Sequence, residues 1–183
     1  MIIRDYREED APVLASLVPA AYRHLRRHYT DWPAMAAGLA RMPQMRAGGG
    51  EILVAEDAGR IAGAVVYSPA HAPKPDYFDP AWPVIRMLAV APDCRGRGIG
   101  RALTEACLGR ARRDGARAIA LHTSPVMHIA LALYERMGFV KIRDIPTIHG
   151  APYAIYLLRL RFGQQDGVSP EDSEEQGFRE ASI

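Results

Sequence analysis

Two hydrophobic periods divide the chain. Val13, Leu14, Leu17, Val18 and Ala21 recur at helical spacing, with Asp10 placed to cap the helix and Pro12 in its first turn. Asp31 and Pro33 open a second helix, with Met35, Leu39 and Met42 on one face. Past Gly48-Gly49-Gly50 the pattern becomes strand-like. Ile52–Ala55 and Ile61–Tyr67 flank Asp57-Ala58-Gly59-Arg60, which reads as a hairpin turn. Residues 68–82, with Pro69, Pro73, Pro75 and Pro80 and with Pro83 just beyond, read as a long loop. Val84–Val90 is apolar enough to suggest a strand buried on both faces. A glycine-rich turn follows, then a helix marked by Ile99, Ala102, Leu103, Ala106, Cys107 and Ala111, stopped at Gly115. Ala118–Leu121 is another strand. Ser124-Pro125 caps a helix with Val126, Met127, Ala130, Leu131, Leu133, Tyr134 and Met137 wholly or partly inward, ending at Gly138. Phe139-Val140 and Ala154–Leu158 close the series, and Ile2–Arg4 opens it. The order predicts an α/β (α+β) domain with a mixed sheet.

Composition narrows the class. Of 183 residues, 49% are hydrophobic and 24% charged, as in globular proteins with a substantial core. Two cysteines, Cys94 and Cys107, are too few for a disulfide framework and read as free thiols. With no signal-like start and no membrane-length apolar run, the expectation is a cytoplasmic protein without a membrane partner. The net charge of +2 is uneven. Asp166, Glu171, Asp172, Glu174, Glu175 and Glu180 stand against Arg179 alone, so residues 163–183 read as an acidic, flexible tail on a basic domain spanning 1–162. A mildly basic body favours anionic ligands, and no aromatic-interleaved basic stripe points to nucleic acid.

The chemistry concentrates at Arg95-Gly96-Arg97-Gly98-Ile99-Gly100-Arg101. Glycines at alternate positions let main-chain N–H groups converge on an anion at a helix N-terminus, and the arginines add charge. A dinucleotide fingerprint would need glycine where Arg101 stands, and a P-loop would need lysine after Gly100. A plain structural turn remains the alternative.

Ile85 through Leu103 resembles the core motif of the GNAT superfamily of N-acetyltransferases. Arg95-Gly96-Arg97-Gly98-Ile99-Gly100 satisfies its [Q/R]-x-x-G-x-[G/A] loop, and Ala130–Phe139 is similar to its second signature. The resemblance runs from about residue 2 to residue 160. It implies a GNAT-like acyl-CoA N-acyltransferase fold: a mixed, mostly antiparallel sheet, bulged and splayed at the strand before the pyrophosphate loop, flanked by about four helices. It implies acetyl-CoA as co-substrate, with Leu88, Ala89 and Val90 along the pantetheine and the amides of Arg97–Arg101 at the pyrophosphate. It implies direct attack by an amine, with Tyr134 as general acid. It leaves a homodimer open.

The strand Val84–Leu88 lacks the glutamate some members use as base. Glu56, His71, Asp76, Asp79 and His122 are the candidates, His122 first because it ends a buried strand and titrates near neutrality. Each is equally an ordinary loop or strand-end residue, and Tyr134 equally a core aromatic. His24 and His28 have no third partner for a metal, and Cys94 needs no catalytic role in direct transfer. The expected activity is N-acetylation of a primary amine, a small molecule before a protein amine, with the first two helices, loop 68–82 and segment 145–153 around the acceptor. The alternative is an acyl-CoA-binding sensor without catalysis.

Overall fold

The computed structural model describes residues 1–160, so the acidic stretch 163–183 lies outside the described residues. The strands are β1 (Ile2–Asp5), β2 (Glu51–Asp57), β3 (Arg60–Ser68), β4 (Val84–Val90), β5 (Ala118–Thr123), β6 (Val140–Ile148) and β7 (Ala151–Arg159). The helices are α1 (Ala11–Tyr22), α2 (Trp32–Ala40), α3 (Ile99–Arg113) and α4 (His128–Arg136). One seven-stranded sheet runs β1-β2-β3-β4-β5-β7-β6. Every adjacent pair is antiparallel except β4 and β5, which are parallel.

Strand alternation builds a core on each face of the sheet. Leu53, Val65, Tyr67, Ile119 and Leu121 pack with Leu103 and Cys107 of α3. Ile52, Val54, Ala64 and Val66 pack on the other side with Leu14 and Val18 of α1 and Leu39 of α2. Covering both faces explains why β2 and β3 read as unbroken apolar runs although they pair antiparallel. Cys94 and Cys107 are both free thiols and both buried.

Three expectations are corrected. Asp10 does not cap α1: its carboxylate accepts from the Arg7 amide at 2.7 Å and from the Arg4 guanidinium at 2.8 and 2.9 Å, tying β1 to the turn before the helix. The Arg4 pairing and the amide hold that carboxyl below its ordinary range. β4 is not buried on both faces throughout, since Arg86, Met87 and Leu88 are only partly covered. The strand beginning at Val140 continues to Ile148, so most of 145–153 is the end of a hairpin, its turn at His149-Gly150.

Candidate functional site

The sheet opens where β4 and β5 part. The two strands pair only at Val84 with Ala120 and at Ile85 with Leu121. On its other side β4 stays paired to β3, but between Ala64 and Val66 the register slips, leaving Met87 and Leu88 opposite the single residue Val65. This is a β-bulge. Met87 takes φ of 52°, a left-handed conformation that costs a side-chain-bearing residue about 1–2 kcal/mol. Such strain persists only where surrounding structure fixes it.

Below the bulge lies a cavity of about 240 Å³. β4 and β5 contribute Arg86, Leu88 and His122, α4 contributes Tyr134, and α2 contributes Met35 and Leu39. Tyr22 of α1, Tyr77 of the proline-rich loop, and His149 and Tyr153 of the β6–β7 hairpin complete much of the wall. The segments expected to surround an acceptor thus meet at one place.

The ring of Tyr134 is 5% exposed and meets Phe139 edge-on, with 5.7 Å between centroids. Among the described residues its hydroxyl makes no hydrogen bond, and the residue lines the cavity. Burial pushes its ionisation well above the ordinary phenol value, so it holds its proton. His122 Nδ1 lies 3.0 Å from the Tyr77 hydroxyl, with its ring among Tyr77, Phe78 and Tyr153. Desolvation, reinforced by the Arg86 charge, lowers its pKa to about 4, and the imidazole is neutral at pH 7. Of the five candidate bases only His122 lines the cavity. Glu56 pairs with Arg4 on β2, Asp79 accepts from the Ala81 amide, Asp76 borders a separate surface depression with Arg143, and His71 is exposed on the loop.

The glycine-rich turn sits at the end of the splay. Gly96 and Gly98 adopt φ of 74° and 77°, and a Cβ at either would project into open space, so backbone geometry rather than crowding demands glycine. α3 begins at Ile99 without a side-chain cap, so the first-turn amides of Ile99, Gly100 and Arg101 have no intrahelical acceptor. Ile99 itself is buried and anchors the turn to β3. Open space, free amides and the helix dipole fit a phosphate group. The three arginines are less free than their sequence suggests. Arg95 donates to the carbonyl of Ala21 at 2.5 Å, Arg97 pairs with Asp57, and Arg101 pairs with Glu105 at 2.8 Å. The last two are half exposed and exchange partners at little cost, because surface pairs are weak.

Leu88, Ala89 and Val90 lie on the stretch of β4 that is not paired to β5, and the Leu88 carbonyl accepts from the Tyr22 hydroxyl at 2.9 Å. Tyr22 continues the Leu14 and Val18 spacing, one position beyond the stripe read from the sequence, which ended at Ala21. Arg86, Tyr77 and Tyr153 carried no local motif at all; tertiary packing alone assembles them with Tyr134.

Comparison with known proteins agrees with this geometry. The profile described as "Acetyltransferase (GNAT) family" matches residues 13–139. Mycothiol acetyltransferase of Geodermatophilus obscurus is 40% identical over 57 residues, 31% of this chain and 18% of that protein. N-alpha-acetyltransferase 30 of Schizosaccharomyces pombe is 39% identical over 61 residues, 33% of this chain and 41% of that protein. The matched stretch therefore spans less than half the length of either relative. In fold, the ribosomal-protein-alanine N-acetyltransferase of Brucella melitensis superposes with a TM-score of 0.65 at 22% identity, covering 87% of this chain and all of that one. A GNAT family acetyltransferase of the same organism, in complex with acetyl-CoA, gives 0.61 at 24% identity, covering 91% and 92%. A profile match across most of the chain, on a sheet that bulges and splays just before an uncapped glycine-rich turn, means that this chain belongs to the acetyltransferase (GNAT) family.

Proposed function

We propose that the chain transfers the acetyl group of acetyl-CoA to the primary amine of a small molecule. The observation that carries this is the Tyr134 hydroxyl, without a hydrogen-bond partner among the described residues, facing a cavity at the mouth of the β4–β5 splay. The free amides of Ile99–Arg101 would hold the pyrophosphate, and the pantetheine would lie along Leu88–Val90 as an added strand. With the Leu88 carbonyl engaged by Tyr22, the Leu88 amide is the group left to polarise the thioester carbonyl.

In the proposed reaction the amine lone pair forms the new C–N bond, the C–S bond breaks, and the CoA thiolate takes the Tyr134 proton. The amine's surplus proton returns to solvent or to the phenolate. Burial raises phenol and thiol together, since each loses its proton to become an anion, so the transfer conserves charge within the cavity. A lysine-like amine must first become neutral, from an ordinary pKa near ~10.4. His122, lowered to about 4, is a weak base for that step. Desolvation beside the Arg86 cation instead favours the neutral amine, leaving His122 to orient it.

Tyr134→Phe tests the reading. CoA release should fall by about 10²–10⁴-fold while acetyl-CoA affinity by calorimetry holds. Equal turnover in variant and wild type refutes the role of Tyr134. Tight acetyl-CoA binding with no CoA release from any amine returns the non-catalytic sensor.

A further inference from the structure

Among the described residues, the cavity wall carries one permanent positive charge and no negative one. Arg86 stands one residue before the bulge, partly buried, with its side chain on the cavity. No Asp or Glu lines that cavity, and among the described residues no carboxylate lies near enough to Arg86 to pair with it. Arg4, Arg60, Arg97, Arg110 and Arg113, by contrast, each hold a carboxylate. The guanidinium keeps its charge at any working pH, and burial without a counter-ion is unfavourable. Lys74, fixed by the carbonyls of Pro69, Pro80 and Trp82, lies within reach of the Arg86 charge but has the Asp79 carboxylate to offset its own. Tyr77 and His122 stand beside the guanidinium as neutral partners. When the Tyr77 hydroxyl donates to His122 Nδ1, the ring proton sits on Nε2, a second donor at the same wall.

From this charge imbalance we infer that the acceptor is an amino acid or similar amino carboxylate, and that Arg86 binds its carboxylate. The inference rests on the proposed acetyl transfer and names its substrate class. The reactive form decides the match. An amine attacks only when neutral, so an amino carboxylate enters the reaction as an anion and a simple amine enters uncharged. One cation in an otherwise uncharged cavity complements the first. A guanidinium also grips a carboxylate through two parallel N–H bonds, which fixes the direction in which the amine points. The volume of about 240 Å³ suits a small acceptor. A polyamine would place surplus cations against Arg86.

The test uses matched pairs: β-alanine with β-alaninamide, and 4-aminobutyrate with its amide. CoA release is measured on the full-length protein, with rates expressed per concentration of neutral amine. Wild type should favour the acid by about tenfold or more in kcat/KM, as expected for a charge-assisted pair. In Arg86→Gln that ratio should collapse toward one, and Arg86→Lys should restore part of it. Amides used as well as acids by wild type, or a Gln variant that loses both alike, overturn the inference. Unfolding midpoint and acetyl-CoA affinity, measured alongside, separate misfolding from lost recognition, and the wild-type preference needs no variant. If no pair releases CoA, calorimetric titration of the CoA-saturated protein with N-acetyl-β-alanine and with N-acetyl-β-alaninamide decides. Binding of the acid alone, weakened about tenfold in Arg86→Gln, supports the carboxylate site; equal behaviour refutes it. Failure of acetyl-CoA to bind refutes the proposed function instead, and the same two titrations on the free protein still read the Arg86 site.

Discussion

Gly63 lies on β3 opposite Val90, between the bulged strand and the start of α3. A Cβ there would stand 2.8 Å from the Ala89 carbonyl oxygen, 3.1 Å from Ile99 Cγ2 and 3.2 Å from Leu103 Cδ1. The first neighbour is backbone and cannot rotate away, so Gly63→Ala must push β4 from β3 or move Ile99. Overpacking of this kind costs about 1–3 kcal/mol, and the stiffer unfolded chain returns about 0.4–1 kcal/mol. The expected outcome is a net destabilisation of roughly 1–2 kcal/mol. Gly109 is the control. It lies exposed within α3, a Cβ there meets nothing within 4 Å, and Gly109→Ala should stabilise by roughly 0.5–1 kcal/mol. Urea unfolding of the full-length chain measures both, with the m-value unchanged. Because Ile99 opens α3, Gly63→Ala should also weaken acetyl-CoA binding, whereas Gly109→Ala should not. Equal or greater stability in Gly63→Ala, or shifts of the same sign in both variants, would refute the packing argument.

Two further outcomes follow from the site. Gly98→Val forces a β-branched residue to φ of 77° and puts its side chain in the open space before the α3 amides; calorimetry should show acetyl-CoA binding abolished, and unchanged affinity refutes the loop assignment. His122 is neutral in the fold with a pKa of about 4, below its unfolded value near 6.5. The unfolded chain binds that proton first, so the stability due to neutral His122 is complete above about pH 6.5 and lost as pH falls toward 4, roughly 3 kcal/mol in all. His122→Gln should flatten this part of the pH–stability curve; an unaltered slope places the titration elsewhere.

The strands and the α3 turn were legible because each rests on a local pattern: alternation, helical spacing, or glycines at alternate positions; spacing marked Tyr134 only as a core aromatic, and the resemblance singled it out. The bulge had no local pattern of its own, and only the resemblance implied it. Val84–Val90 is apolar at nearly every position, so its composition hides the register slip at Met87 and Leu88, and with it the partial exposure of Arg86. Asp10 carried a helix-cap signal in sequence, but the Arg4 guanidinium six residues earlier competes for the same carboxylate and wins by charge. The arginines of the turn were visible, but the partners of Arg95 and Arg97 were not, since Ala21 and Asp57 lie 74 and 40 residues away. The cavity gathers side chains from both sides of the sheet seam, and no short window of sequence contains that relation.

A sheet ordinarily keeps its unpaired edges at its rim, where they invite pairing with other chains. Here β1 and β6 hold the rim, and the parting of β4 from β5 creates two more edges inside the molecule. Those inner edges are flanked by α1, α2 and α4, so a slender extended molecule has access that a strand of another protein lacks. Under the proposed function, acetyl-CoA is then more than a reagent held in a pocket: it fills the seam as a transient missing strand. The free protein is an unfinished sheet, and its stability would rise and fall with the cell's supply of the donor.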